Sequence, residues 1–192
     1  GDVYKRQSKL LPIHYLTLGI AENNKASLLE NSNHPLSAKT AYEKAIQYYQ
    51  RGNMHKRLPN VYNNLGYVYY TLNDLPMQAY CYKKALFICD SLSLPQIYRN
   101  NSYFMLAFCY VQLKNYSQAH YYLNKVYPQI NDMPLYNRYF LINTFVNFYY
   151  YQKKYEESWN YLMKIFDEVA QHQNDMPSES VSYTHLTLPT IA

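Results

Sequence analysis

One constellation of aromatic and small residues recurs about every 40 residues along this chain, and that recurrence constrains the fold more than any other feature. Tyr62, Leu65, Gly66 and Tyr69 fall at spacings of three, one and three, which places them on one face of a helix. Asn73-Asp74 interrupts the pattern and Pro76 fits the first turn of a second helix, on whose apolar face Tyr82 and Ala85 continue. Tyr103, Leu106, Ala107, Tyr110, Ala119 and Leu123 repeat the arrangement 41 residues later. Phe145, Val146, Tyr149, Ser158, Leu162 and Ile165 repeat it after a further 39 residues. Upstream, Ala38, Tyr42 and Ala45 repeat its second half 40 residues before Gln78, Tyr82 and Ala85. Such periodicity marks an array in which no unit can bury its apolar face alone, so that stacking supplies the core.

The unit from Tyr62 to Ala85 resembles the tetratricopeptide repeat, whose signature runs W-x2-L-G-x2-Y and then A-x3-F. Tyr62 stands in the place of the Trp and Tyr82 in that of the Phe, while Gln78 occupies the position usually held by Ala. The period exceeds the ~34 residues of the common repeat, so the resemblance is to an extended form. It implies an all-α, right-handed superhelical solenoid of about four helix-turn-helix repeats with no sheet. The array is expected over residues 8–172, with units near 10–52, 55–92, 95–128 and 133–171. Similar extended arrays form the sensor or scaffold half of bacterial regulators, which implies a part in binding other proteins.

Composition excludes several alternatives. Hydrophobic residues make up 48% and charged residues 16%, enough to build a core. The 26 Tyr suit an array in which many side chains are half-buried. With four Gly there is no Gly-rich phosphate loop, and the net charge of +5 is dispersed rather than gathered into the basic stripe of a nucleic-acid binder. Cys81, Cys89 and Cys109 form no C-x2-C pair and read as small core residues. The six His show no H-E-x-x-H spacing, and no Ser or Cys sits in a nucleophile pattern. The adjacent Glu156 and Glu157 point apart on a helix and read as a solvated face. No catalytic residue, metal site or cofactor is expected, and no run of about 18 apolar residues could span a membrane.

The two ends read differently from the array. Residues 2–7 are DVYKRQ and residues 181–186 are VSYTHL, and both translate from one DNA word read in opposite orientations. They resemble translated sequencing-adapter ends, so residues 1–7 and 181–192 are excluded from fold reasoning. The polar segment 173–180 reads as a frayed tail.

Between these ends eight helices are expected. The first covers about 10–30, in one of two registers: Tyr15-x2-Leu18-Gly19 matches the signature with a loop inserted at 31–34, whereas Ala26 lies the expected 12 residues before Ala38. Pro35 opens the second helix, which stops near Gly52 as a C-terminal cap. The third runs from Pro59 to Leu72, the fourth from Leu75 to Ser91, the fifth from Gln96 to Leu113 and the sixth from Ser117 to Tyr127. Asp132 as N-cap and Pro134 in the first turn start the seventh, which reaches Gln152, and the eighth covers Tyr155 to Gln171.

The resemblance also names a candidate groove. In each unit, positions one, two, five and eight after the first signature aromatic are expected to face a concave wall. These are Asn63, Asn64, Tyr67 and Tyr70, then Phe104, Met105, Phe108 and Val111, then Asn143, Thr144, Asn147 and Tyr150. Asn can bond a peptide backbone through both ends of its amide, and Tyr and Phe add rigid contact area. The Lys positions of a carboxylate-clamping groove are held here by Asn63, Phe104 and Asn143, so a neutral or apolar peptide is the expected ligand. The leading expectation is a non-catalytic protein or peptide interaction module. The alternatives are a regulatory domain whose groove is filled by its own chain, and a helical repeat that stacks single-stranded RNA.

Overall fold

The turns explain the architecture most directly. The computed structural model describes residues 12–171. Within them, Asn33, Asn53, Asn73, Ser93, Lys114 and Lys153 have positive φ, between 47° and 62°. Each lies just past the end of an α-helix. The N–H of the following residue returns to the carbonyl five residues back, as in His34 to Leu29, Asp74 to Tyr69 and Lys154 to Tyr149, at 2.8, 2.9 and 3.0 Å. The positive-φ residue itself bonds three residues back, Asn73 to Tyr70 at 2.9 Å for example. Together these bonds make the Schellman closure, which satisfies carbonyls that a helix end would otherwise leave unpaired. Asn tolerates the left-handed conformation, which accounts for three of the six. Gly52 is the C-cap residue, as expected; it has φ −82° and stays right-handed, and the left-handed residue that follows it is Asn53.

All regular structure among the described residues is helical. Helices α1 (Pro12–Asn31), α2 (Pro35–Arg51), α3 (Leu58–Thr71) and α4 (Leu75–Ser91) are followed by α5 (Ile97–Gln112), α6 (Tyr116–Val126), α7 (Leu135–Tyr151) and α8 (Tyr155–Gln171). Short 3-10 helices occupy His55–Arg57 and Tyr127–Asp132. Asp74 caps α4 by accepting from the Met77 N–H at 3.1 Å, and Asn115 caps α6 by accepting from the Gln118 N–H at 3.2 Å. The connection before α7 departs from expectation. Asp132 ends a 3-10 helix instead of capping an α-helix, and Pro134 is the extended N-cap residue. Pro128 has no N–H to continue α6, and Met133 is extended (ψ 149°), as a residue before proline prefers. The adapter-like ends and the segment 173–180 lie outside the described residues.

The chain divides within α5 into two compact units, up to Leu106 and from Ala107. In the first, α1 packs on α2, α2 on α3 and α3 on α4. Its core gathers Ala26, Tyr42, Ile46, Val61, Leu65 and Val68 among others, with Tyr62 half-buried against it. Gly66 meets the ring of Tyr82 so closely that a Cβ there would lie 2.8 Å from Cζ. The register of α1 follows from its turn. Residues 32–34 connect it to α2 as residues 72–74 connect α3 to α4, with no inserted loop, so the buried Ala26 corresponds to Gly66. In the second unit, α7 packs on α8 and α6 touches α7. The rings of Phe145 and Tyr149 stack on Tyr161 at 4.6 and 5.5 Å, and Tyr110 stacks on Tyr122 at 5.6 Å. These ring contacts of Tyr110 and Tyr149 run to the second helix of the same pair. Leu65, Gly66, Tyr69, Tyr82, Ala85, Leu106, Ala107, Tyr110 and Ala119 are all buried. The signature positions are therefore packing positions.

Candidate functional site

The site is built from the start of α5 and one face of α3. Arg99 fixes the start of α5. Its Nε–H donates to Asp90 Oδ1 at 2.9 Å, one terminal N–H2 donates to the Leu94 carbonyl, and the other donates to the Cys89 carbonyl at 3.0 Å. The guanidinium thus covers the carbonyl end of α4 and ties it to the first turn of the next helix. The N–H groups of Tyr98 and Arg99 return to the Pro95 and Gln96 carbonyls at 3.1 and 2.8 Å. Held in this way, Ile97, Tyr98 and Asn101 oppose Asn60, Asn63 and Asn64 of α3 across a cavity of about 370 Å³. That volume is at the small end of ligand sites. No ionisable Asp, Glu, Lys, Arg or His lines it.

Its polar groups are unevenly committed. Asn63 is 6% exposed, and its Oδ1 accepts from the hydroxyl of fully buried Ser102 at 2.7 Å. Asn64 interacts with the hydroxyl of Tyr42, which donates to Glu30 Oε2 at 2.8 Å. Burial first, then the Glu30 hydrogen bond and charge, push the Tyr42 hydroxyl well above its usual range; the Asn64 bond opposes them. Asn60 and Asn101 are exposed at the rim. Farther along α3, the exposed Tyr67 and Tyr70 place their ring centroids 5.9 Å apart. Asn60, Asn63, Asn64, Tyr67 and Tyr70 form one stripe at helical spacing.

The structure therefore brings together four of the residues expected from sequence, Asn63, Asn64, Tyr67 and Tyr70. It places most of the others in the interior. Phe104 and Met105 are 6% and 8% exposed, and Phe108, 9% exposed, packs its ring 4.9 Å from that of Phe140. Val111, Asn143, Thr144 and Asn147 are buried, and Thr144 Oγ1 donates to the Phe140 carbonyl at 2.8 Å. Tyr150 is half-buried, with its ring edge-on to Tyr151 and Tyr155 at 5.9 and 5.7 Å. The physical reason is that residues 104–111 read F-M-L-A-F-C-Y-V, apolar on every face, and such a stretch is buried on every face.

Asn60, Ile97, Tyr98, Asn101, Ser102 and Arg99 escaped the sequence reading. Asn60 was within reach of it, three residues before Asn63 on the same stripe, and Asn101 lies one 41-residue period after Asn60.

Burial pushes the Cys81 thiol up to about 12 and raises that of Cys89, so neither supplies a thiolate near neutral pH. Among the described residues no group of His, Cys, Asp and Glu could hold a metal ion, and no helix is long and apolar enough to cross a membrane. No family model matches the chain, and no curated protein matches it.

Proposed function

We propose that this chain is a non-catalytic interaction module of the tetratricopeptide type that binds an uncharged, extended segment of another protein along the face of α3. The observation that carries the reading is the stripe of carboxamides and tyrosines beside a cavity with no charged lining. An extended peptide presents N–H and C=O groups at intervals, and a carboxamide can answer both. Tyr67 and Tyr70, with Tyr98 across the cavity, add apolar surface on rigid side chains. The repeat identity is supported by the recurring signature and by the same turn closure at six helix ends. The face carries no Lys or Arg, which favours peptide over a nucleic-acid backbone.

Selection of displayed random dodecapeptides tests this reading. The expected outcome is enrichment of peptides with uncharged centres, bound ~1–3 kcal/mol more weakly by Asn64→Ala combined with Tyr67→Ala. Enrichment of acidic C-termini alone, or affinity unchanged in the double variant, would refute it.

A further inference from the structure

The cavity between α3 and α5 has a fixed hydrogen-bonding polarity at Asn63, and the ligand class this implies rests on the proposal that the cavity is a binding site. Ser102 lies one turn beyond Tyr98 on α5 and is fully buried. Its hydroxyl donates to Asn63 Oδ1 at 2.7 Å. A carboxamide has an acceptor at one end and two donor hydrogens at the other. With the carbonyl end engaged by Ser102, the N–H2 end is what Asn63 has to offer to the cavity it lines.

We infer that Ser102 sets the hydrogen-bonding polarity of this cavity at Asn63: by holding Asn63 as a donor, it selects a neutral carbonyl acceptor on the part of the ligand that meets it. The acceptor is an amide carbonyl, from a peptide main chain or from a side-chain carboxamide. A charged group is selected against, because the lining offers no opposite charge to replace its hydration. In the first turn of α5 the N–H groups of Tyr98 and Arg99 are already bonded to the Pro95 and Gln96 carbonyls and are not offered to an anion. Asn60 and Asn101 differ from Asn63. They are exposed and no hydrogen bond engages them among the described residues, so each can turn either end to the ligand. Two lining amides are therefore held, Asn63 by Ser102 and Asn64 by its bond to the Tyr42 hydroxyl, and the donor that the ligand meets between them is Asn63. Ser102 acts through Asn63 and is a positioning residue.

The test uses the full chain labelled with 15N, with the side-chain N–H2 signals of Asn60, Asn63 and Asn101 as reporters. Four tripeptides, acetylated and amidated, are titrated: Ala-Ala-Ala, Ala-Gln-Ala, Ala-Glu-Ala and Ala-Lys-Ala. The expected result is a saturable shift of Asn63 with the Gln peptide and binding about tenfold weaker for the Glu and Lys peptides. Equal affinity for the Ala and Gln peptides would assign the acceptor to the main chain, and tighter binding of the Gln peptide would assign it to the side chain; either supports the inference. Ser102→Ala frees Asn63 to present either end, so the preference for Gln over Lys should fall by about tenfold. Asn101→Ala, an exposed change that leaves the fold intact, should weaken the Ala and Gln peptides together and keep the preference.

Equal binding of the Glu and Gln peptides, a Gln-over-Lys preference that survives Ser102→Ala, or affinity untouched by Asn101→Ala would each overturn the inference. Should selected dodecapeptides bind the α3 face while no tripeptide shifts Asn63, this inference falls and the broader reading stands. Should no peptide of any length bind, both fall.

Discussion

Replacing Gly66 by alanine isolates the contact that lets α3 and α4 approach. The added Cβ would lie 2.8, 2.9 and 3.2 Å from Cζ, Cε1 and Cε2 of Tyr82. Carbon atoms rest at ~3.5–4.0 Å, so the ring must retreat by roughly 0.7 Å at its nearest atom. Tyr82 is wholly buried and its ring is rigid, so the displacement passes to its neighbours. Overpacking of this kind costs ~1–3 kcal/mol. Alanine in place of glycine inside a helix returns ~1 kcal/mol of propensity. The net expectation is a loss of about 1 kcal/mol and, for a chain of this length, a melting temperature lowered by ~2–4 °C. Gly66→Leu, with three further carbons aimed at the same ring, should lose about 3 kcal/mol. The double-mutant cycle is the informative assay. In a Tyr82→Leu background the ring is gone, so Gly66→Ala should become stabilising by up to about 1 kcal/mol. A stabilising Gly66→Ala in the unaltered protein, or the same cost in both backgrounds, would show that the ring does not set the approach.

Two further outcomes depend on side chains that sequence pattern does not reveal. Arg99→Ala should cost ~2–3 kcal/mol in denaturant melts, because its guanidinium is 13% exposed and serves two carbonyls, whereas Asp90→Asn should cost under about 0.5 kcal/mol, since Asp90 is 68% exposed. Burial raises the Glu30 carboxyl above its ordinary 4.5, and the Tyr42 hydrogen bond only partly opposes it. The folded state then holds that proton more tightly than the unfolded chain, so this contribution is present at low pH and is lost as pH rises from 4.5 through the raised folded value. Melting temperature tracked upward from pH 4.5 should show that loss, and Glu30→Gln should flatten it.

The helices were legible because their signals are local. Tyr62, Leu65, Gly66 and Tyr69 declare a helical face, and Asp74 with Pro76 declares a start, within a dozen residues. The turns were legible in position but not in chemistry. Gly52 is the C-cap residue that its type announces, and the left-handed residue of the closure stands one step later, at Asn53. At 127–134 Asp132 and Pro134 satisfy a start pattern locally, but a 3-10 helix that carries Pro128 in its first turn occupies Tyr127–Asp132, and the α-helix begins only after Pro134.

The candidate site divides along the same line. On α3 the polar stripe of Asn63, Asn64, Tyr67 and Tyr70 alternates with the apolar one, and the sequence shows both. On α5 and α7 the same register falls on Phe104, Met105, Phe108, Asn143, Thr144 and Asn147, whose burial depends on neighbours distant in sequence. The Ser102–Asn63 bond joins residues 39 apart, and no local pattern announces it.

Docking of a protein segment on the outward face of α3 is the central claim. Site-specific photo-crosslinking tests it most directly, with a benzophenone side chain introduced at Tyr67 in one variant and at Tyr80, an exposed position on α4, in another. A peptide obtained by display selection should crosslink efficiently to the variant altered at Tyr67 and not to the one altered at Tyr80, and excess unlabelled peptide should abolish the adduct. Adducts confined to the Tyr80 variant, or equal and uncompeted yields at both positions, would contradict it.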